Sequence, residues 1–230
     1  MQDAGLSLRF LSFITFLLPI SALSFCLVWS IIIDYDKATY THCEVTEILP
    51  SISAVIGGFS PQKFVWSLSI ALVAGPRFIF SKIYQNYLLN YCPSKIRAVN
   101  FNYLLNTVEI LSLMTLSFVP SAELFLVHAV AFTMFLVTSL ISMALVTYYI
   151  KDSRKQRLKR TLVKLTLLCI LLATYFYRRH NDLCEPYVYS MFALCEYMVV
   201  VCNMVWNWAI IRDFAGYNMV VERRQGEMNF

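Results

Sequence analysis

Six uninterrupted apolar runs, at about residues 9–33, 64–85, 98–119, 124–150, 161–178 and 187–211, constrain this chain more than any other feature. About 20 consecutive apolar residues make a helix that crosses a bilayer, because lipid offers no hydrogen-bond partners to an open backbone. A β-barrel is excluded, since the runs are continuous rather than alternating and about twice the length of a barrel strand. The chain has 230 residues, 59% hydrophobic and only 14% charged, where a soluble domain carries about 25% charge. A soluble globule, a disordered chain and a secreted disulfide scaffold are therefore excluded. No stretch outside the apolar runs is long enough to fold as a separate domain. The expectation is an all-α polytopic membrane protein, with residues 1–230 forming one transmembrane domain, a compact six-helix bundle. The first run is too long for the apolar part of a signal peptide and lacks a small-x-small cleavage site, so it reads as a retained helix kinked by Pro19. With no internal repeat in the chain, an inverted-repeat transporter gains no support.

Orientation follows from Lys and Arg. With both termini cytosolic, fourteen of the nineteen basic residues fall on the cytosolic side, most densely in Lys151–Arg160. Four fall on the other side: Lys37, Lys63, Arg178 and Arg179. The basic run reads as a topology anchor, with binding to an anionic leaflet as the alternative. The far side then carries a long loop from Asp34 to Lys63, a tight turn at Pro120–Glu123 and a short loop, Arg179–Pro186. Within the long loop, Ile56-Gly57-Gly58-Phe59-Ser60-Pro61 is apolar but helix-breaking, so it reads equally as a re-entrant segment or a surface turn.

Of seven cysteines, Cys26, Cys169, Cys195 and Cys202 fall within spans and Cys92 on the cytosolic side. Only Cys43 and Cys184 lie in the opposite loops. In an oxidising lumen they allow a single pairing, and a Cys43–Cys184 disulfide is expected. No CxxC spacing suggests a redox centre or a zinc ribbon.

Arg77, Glu109 and Glu196 stand well inside spans, where a charge at the bilayer centre costs roughly 2.5–3.5 kcal/mol or more. An Arg77–carboxylate pair inside the bundle is expected, either to fix helix register or to bind substrate. Asn102, Asn106 and Glu109 share one helix face at i, i+4, i+7. Tyr189, Glu196 and Asn203 recur every seven residues, with Asn207 one turn on. Such stripes must face protein or a polar cavity rather than lipid.

Three histidines, His42, His128 and His180, fall near the far side, with Glu123, Arg178, Arg179, Asp182 and Glu185 at similar depth. A histidine beside a carboxylate can deprotonate a lipid hydroxyl, and Arg178, Arg179 and Lys63 can bind a phosphate. Packing and snorkelling explain the same residues without chemistry. His42–Glu47 and His180–Glu185 both read H-x4-E, near the H-x4-D of glycerolipid acyltransferases, but the surrounding fold of those enzymes is absent. With no HExxH or close His pair, no metal or other cofactor is expected. No GxSxG elbow, Walker loop or dinucleotide fingerprint occurs. The net charge of +5 arises from topology, so no nucleic-acid partner is expected.

Together, several segments carry a resemblance. They are Thr41-His42-Cys43, Leu49-Pro50-Ser51, Ile56-Gly57-Gly58, Pro61-Gln62, Val65-Trp66, Pro76-Arg77-Phe78, Asn106 with Val108-Glu109, Arg179-His180-Asn181, Cys184-Glu185, Glu196-Tyr197, Asn203-Met204 and Asp213-Phe214. In this order and spacing they are similar to the family of FGF-receptor-activating protein and the damage-regulated autophagy modulators, over about the whole chain. The resemblance is to members that act in GPI-anchor lipid remodelling. It implies a multi-pass Golgi membrane protein, or one of the endoplasmic reticulum. The step implied is reacylation of the sn-2 position of lyso-GPI with a saturated, usually stearoyl, chain. GPI-anchored proteins in the lyso form would be substrates, an acyl donor lipid or acyl-CoA the second reactant, and membrane lipids the surroundings. No catalytic residues carry over from the family. On that reading His128 is the first candidate base and His180 the second, oriented by Glu123 or Glu185. Arg178 and Arg179 hold phosphate, and Arg77, Glu109, Glu196 and Asn203 shape the deeper cavity. The competing expectations are a non-enzymatic lipid-binding accessory factor, which presents lyso-GPI or donor lipid to a separate acyltransferase, and a small transporter or receptor-like regulator.

Overall fold

The computed structural model describes residues 8–151 and 155–212, and all regular structure among them is helical. Arg154, Asp213-Phe214, Arg223 and Arg224, which entered the sequence reading, lie outside the described residues, as do both terminal segments. Six long helices match the six apolar runs: α1 (Leu8–Ile32), α4 (Gln62–Tyr91), α5 (Ile96–Phe118), α6 (Phe125–Ala144), α7 (Gln156–Leu183) and α8 (Val188–Arg212). Two short helices, α2 (Tyr35–Ala38) and α3 (Ile52–Gly57), lie between α1 and α4. All of these except α5 are, among the long helices, apolar and long enough to cross a membrane. At 23 residues, α5 is long enough too, about 35 Å at 1.5 Å per residue. Its polar stripe lowers its hydropathy, which is why it falls short on composition.

The helices close a ring. α1 packs on α4, α4 on α5, α5 on α6, α6 on α7, α7 on α8, and α8 back on α1. The outer face is apolar: Leu68, Leu72, Leu104, Leu126 and Leu171 are exposed, whereas Asn102, Glu109, His128, Ser139, Glu196 and Asn203 are buried. This inside-out distribution suits a lipid solvent, in which only the interior can satisfy a polar group.

Two expectations are corrected at the end of the bundle that carries residues 33–61, here called the loop end. The long loop is partly helical. Ser51 caps α3 by accepting from Ala54 N, and Gly58 ends it with its N–H on Ala54 O. A Cβ at Gly58 would stand 2.8 Å from that carbonyl, so the end of α3 has no room for a side chain. A six-residue element escapes a periodicity argument, although the Ser…Gly-Gly punctuation marks both its ends. The other correction concerns Arg179 and His180, which were read as loop residues. α7 runs on to Leu183, so Arg179 lies within the helix and His180 begins its last turn. Burial of His180 against Tyr189 and the clamp described below sustain the extra helix.

At the opposite, basic end, Lys155 donates to Ala209 O at the end of α8 (3.2 Å), where a cation opposes the helix dipole. Lys95 donates to Tyr149 O, and Lys159 is fully buried. Part of the basic run therefore packs the helix ends together.

Candidate functional site

The turn between α5 and α6 sets up the most chemically specific geometry in the molecule. Val119 is extended (φ −113°, ψ 96°), as the residue before a proline prefers, and its carbonyl is free to leave the helical ladder. His128, one turn into α6, places Nδ1 2.7 Å from that carbonyl oxygen. A carbonyl only accepts, so Nδ1 carries a proton, and in that tautomer the lone pair is at Nε2. Nε2 lies 3.0 Å from Ser53 Oγ, and the Ser53 hydroxyl donates to it. Hydroxyl, imidazole and orienting oxygen thus stand in series, the arrangement that activates a hydroxyl nucleophile.

Ser53 is delivered by α3, which seats between α1, α4, α5 and α8 and buries Val55 and Ile56. Glu196, from α8, accepts from Ile52 N through Oε2 (3.2 Å) and so fixes the start of α3. On α5, Ser117 accepts from Trp66 Nε1 (3.0 Å), and its carbonyl accepts from the Ser67 hydroxyl (2.6 Å). These bonds hold α4 beside the α5–α6 turn.

Ser53 and His128 line a narrow cavity between the helices, of about 70 Å³. Its walls come from α1, α3, α4, α5, α6 and α8, and most are apolar, including Phe16, Ile70, Val73, Phe132, Phe135 and Met204. On α4 the lining runs from Trp66 to Arg77, about 16 Å of helix. That is roughly the depth of one leaflet's hydrocarbon, half of about 30 Å. The cavity has a chemical gradient along its length: an imidazole and a hydroxyl toward the loop end, hydrocarbon along most of the walls, and amides with a guanidinium at its floor, near the middle of the bundle.

Around that floor the polar side chains pair with one another. Arg77 Nη2 lies 2.8 Å from Glu109 Oε1, with both side chains at most 10% exposed. Asn203 donates to the same Glu109 oxygen (2.9 Å) and to Ser139 Oγ (2.8 Å). Ser142 bridges the amide oxygens of Asn102 and Asn106 at 2.8 and 2.9 Å. The stripes of α5 and α8 thus find partners on α4 and α6, while Arg77, Asn203 and Asn207 also face the cavity.

A second cluster ties the loop to the α7–α8 turn. Cys43 and Cys184 form a disulfide with Cα atoms 5.3 Å apart. Glu47 accepts from Tyr189 N, Ser190 N and the Ser190 hydroxyl, at 3.3, 2.7 and 2.6 Å. A carboxylate there satisfies free N–H groups of the first turn of α8. His180 Nδ1 lies 3.7 Å from Glu47 Oε1, and its ring packs on Tyr189 at 4.8 Å and His42 at 5.5 Å. The two H-x4-E segments therefore cross, with the histidine of the second facing the glutamate of the first. His42, Cys43 and Cys184 offer ligand atoms within 4.8 Å of one another, but the disulfide consumes both sulfurs.

The remaining candidates divide clearly. Glu123 pairs with Lys63 at 2.7 Å, and Glu185 accepts from Arg179 Nη2 at 2.9 Å. Neither glutamate forms a hydrogen bond to a histidine; the Val119 carbonyl orients His128 instead. The Arg179 guanidinium holds the Glu185 carboxyl below its ordinary value. Arg178 is exposed. Glu196 anchors α3 rather than meeting Arg77. Sequence reasoning missed Ser53, Val119 and the capping role of Glu47. Six serines and threonines crowd residues 39–60, and no local pattern singles out one that meets a residue 75 positions away.

Residues 7–217 match the family model described as the Frag1/DRAM/Sfk1/Cwh43P N-terminal domain. Among curated proteins, the chain is similar to post-GPI attachment to proteins factor 2 of Drosophila pseudoobscura pseudoobscura, with 37% identity covering 91% of this chain and 86% of the relative. It is 34% identical to the Caenorhabditis elegans protein of the same name, covering 96% and 91%. It is 36% identical to the Xenopus tropicalis protein named acyltransferase PGAP2, covering 94% and 91%. No solved structure matches the chain.

Proposed function

The chain belongs to the Frag1/DRAM/Sfk1/Cwh43P family, and on that footing we propose that it acts in GPI-anchor remodelling as the acyltransferase that restores a saturated, stearoyl chain to the sn-2 position of lyso-GPI. The names of its relatives support the pathway. One observation carries the chemistry: an apolar cavity walled at one end by a histidine whose Nδ1 is held by a backbone carbonyl. His128 Nε2 serves as general base for the acceptor hydroxyl, a contribution of about 10²–10⁴ in rate. His180 and the Glu47–Ser190 cap hold the loop in place. The acyl chain lies along the cavity, and Arg77, Glu109 and Asn203 form its floor. The exposed Arg178, with Arg179 beside it, meets the phosphate at the rim. Glu196 positions α3, and Glu123 and Glu185 fix the cations at the mouth.

In this reading α5 is the sixth span, its polar face covered by α4, α6 and α8. An even number of spans puts both termini on one side, which the basic residues mark as cytosolic. The loop end then faces the lumen of the Golgi apparatus or endoplasmic reticulum, where a disulfide persists and where the GPI anchor lies. Residues 1–230 act as one transmembrane domain. The donor is a membrane phospholipid or acyl-CoA.

The test is turnover by the protein purified into lipid nanodiscs, supplied with lyso-GPI and either donor. Turnover that disappears in His128→Ala, with lyso-GPI binding retained, supports the enzyme. A wild type that binds lyso-GPI but transfers from neither donor overturns it in favour of a lipid-presenting accessory factor, for which the apolar cavity alone would suffice.

A further inference from the structure

We propose that Ser53 is a covalent nucleophile and that acyl transfer passes through an acyl-serine intermediate. The inference rests on the acyl-transfer reading above and deepens it, since a base at His128 alone needs no serine. Three observations support Ser53. Its hydroxyl donates to a nitrogen base (3.0 Å) rather than to backbone. That base has its other nitrogen committed to a carbonyl (2.7 Å), so the lone pair stays aimed at Ser53. Ser53 is only half-buried and lines the same apolar cavity as the base.

Neighbouring hydroxyls are otherwise engaged. Ser51 Oγ accepts from Ala54 N and caps α3. Thr15, also in the cavity wall, donates to Leu11 O at 2.7 Å. The two serines of Ser51-Ile52-Ser53 thus have separate tasks, one building the helix and the other facing the base. Glu196 fixes the residue between them through Ile52 N, so the position of Ser53 is set on both sides.

The steps balance. Ser53 Oγ attacks the carbonyl carbon of a donor ester or thioester, and its proton passes to His128 Nε2. The bond from the acyl carbon to the donor's oxygen or sulfur breaks, and His128 returns the proton to that leaving group. The acyl chain, now an ester on Ser53, lies in the cavity. The acceptor hydroxyl then attacks, giving its proton to Nε2. The bond to Ser53 breaks and the proton returns to Oγ. One acyl bond replaces another, with no oxidant or reductant consumed. The Val119 carbonyl holds Nδ1–H throughout and stabilises the transient imidazolium.

Nanodisc-embedded protein would be incubated with stearoyl-CoA, or with stearoyl phosphatidylcholine, in the absence of acceptor, then analysed by intact mass and peptide mapping. A stearoyl adduct on the Ser53 peptide is expected, and lyso-GPI should discharge it. Ser53→Ala should show no adduct and should lose transfer by at least about 1,000-fold, with its unfolding midpoint and lyso-GPI binding kept. Ser53→Cys tests the same position with the cavity preserved. It should form a thioester that neutral hydroxylamine releases, whereas the Ser53 ester resists it. Ser53→Ala transferring within about tenfold of wild type would overturn the nucleophile while leaving acyltransfer and the His128 base standing. A wild type that transfers from neither donor removes the underlying reading, and this inference with it.

Discussion

His128 and His180 are the same residue type, both buried near the loop end of one bundle, and they sit in opposite surroundings. His180 is fully enclosed, wedged between Tyr189 and His42 beneath a disulfide. Around it a carboxylate satisfies the start of α8 and a covalent bond closes the loop. Nothing there opens onto the cavity. His128 instead is held through Nδ1 and offers Nε2 to a hydroxyl in a cavity wall. The difference teaches that burial and a nearby carboxylate do not mark a reactive histidine. What marks it is a fixed tautomer, a free lone pair and a space for the reacting atoms.

Exchanging the two histidines' fates is the strongest way to break this contrast. His128→Ala should lower acyl transfer by about 100- to 10,000-fold. His180→Ala should lower the unfolding midpoint while leaving turnover within a few-fold below that midpoint. Equal losses of turnover in both variants would erase the distinction.

Cutting the clamp is the next largest effect. Cys43→Ser or Cys184→Ser should cost about 2–4 kcal/mol of stability. Reductant should destabilise the wild type to the same extent and leave either variant unmoved, read as thermal unfolding with and without dithiothreitol. Ser190→Ala sharpens the comparison on a smaller scale. It removes a hydroxyl that donates to Glu47 and accepts from Ile48 N and Leu49 N, and should cost about 1 kcal/mol with turnover unchanged.

The smallest effect concerns the rim. The Glu185 carboxyl is held below its ordinary value by Arg179. Its contribution is therefore fully present above the unfolded value of about 4.3 and is lost as pH falls through the lower folded value. Unfolding of wild type and Glu185→Gln, compared from pH 7 downward, should differ slightly at neutral pH and converge on acidification. A difference that grows toward acid would contradict the Arg179 pairing.

The local features of this chain were legible because they need only nearest neighbours in sequence. Six apolar runs foretold six long helices to within about six residues, the widest differences being α4, which runs on to Tyr91, and α7, which starts at Gln156 and runs on to Leu183. The Cys43–Cys184 pairing followed from topology, since one side offered just two thiols. The stripe Asn102–Asn106–Glu109 announced an inward face, and Arg77 found its carboxylate. α3 was harder: six residues show no period, and only the capping Ser51 and Gly58 betray it.

By itself, then, the sequence determined which segments become helices, which face of each turns inward and which end carries the basic residues, because solvent transfer free energy and helical periodicity act along the chain. Tertiary structure alone decided that Ser53 meets His128, that Val119 rather than a glutamate orients the ring, and that Glu47 caps α8. Each of these contacts joins elements 9 to 143 residues apart. Their geometry depends on how the ring of helices closes around α3, and no local propensity encodes that closure.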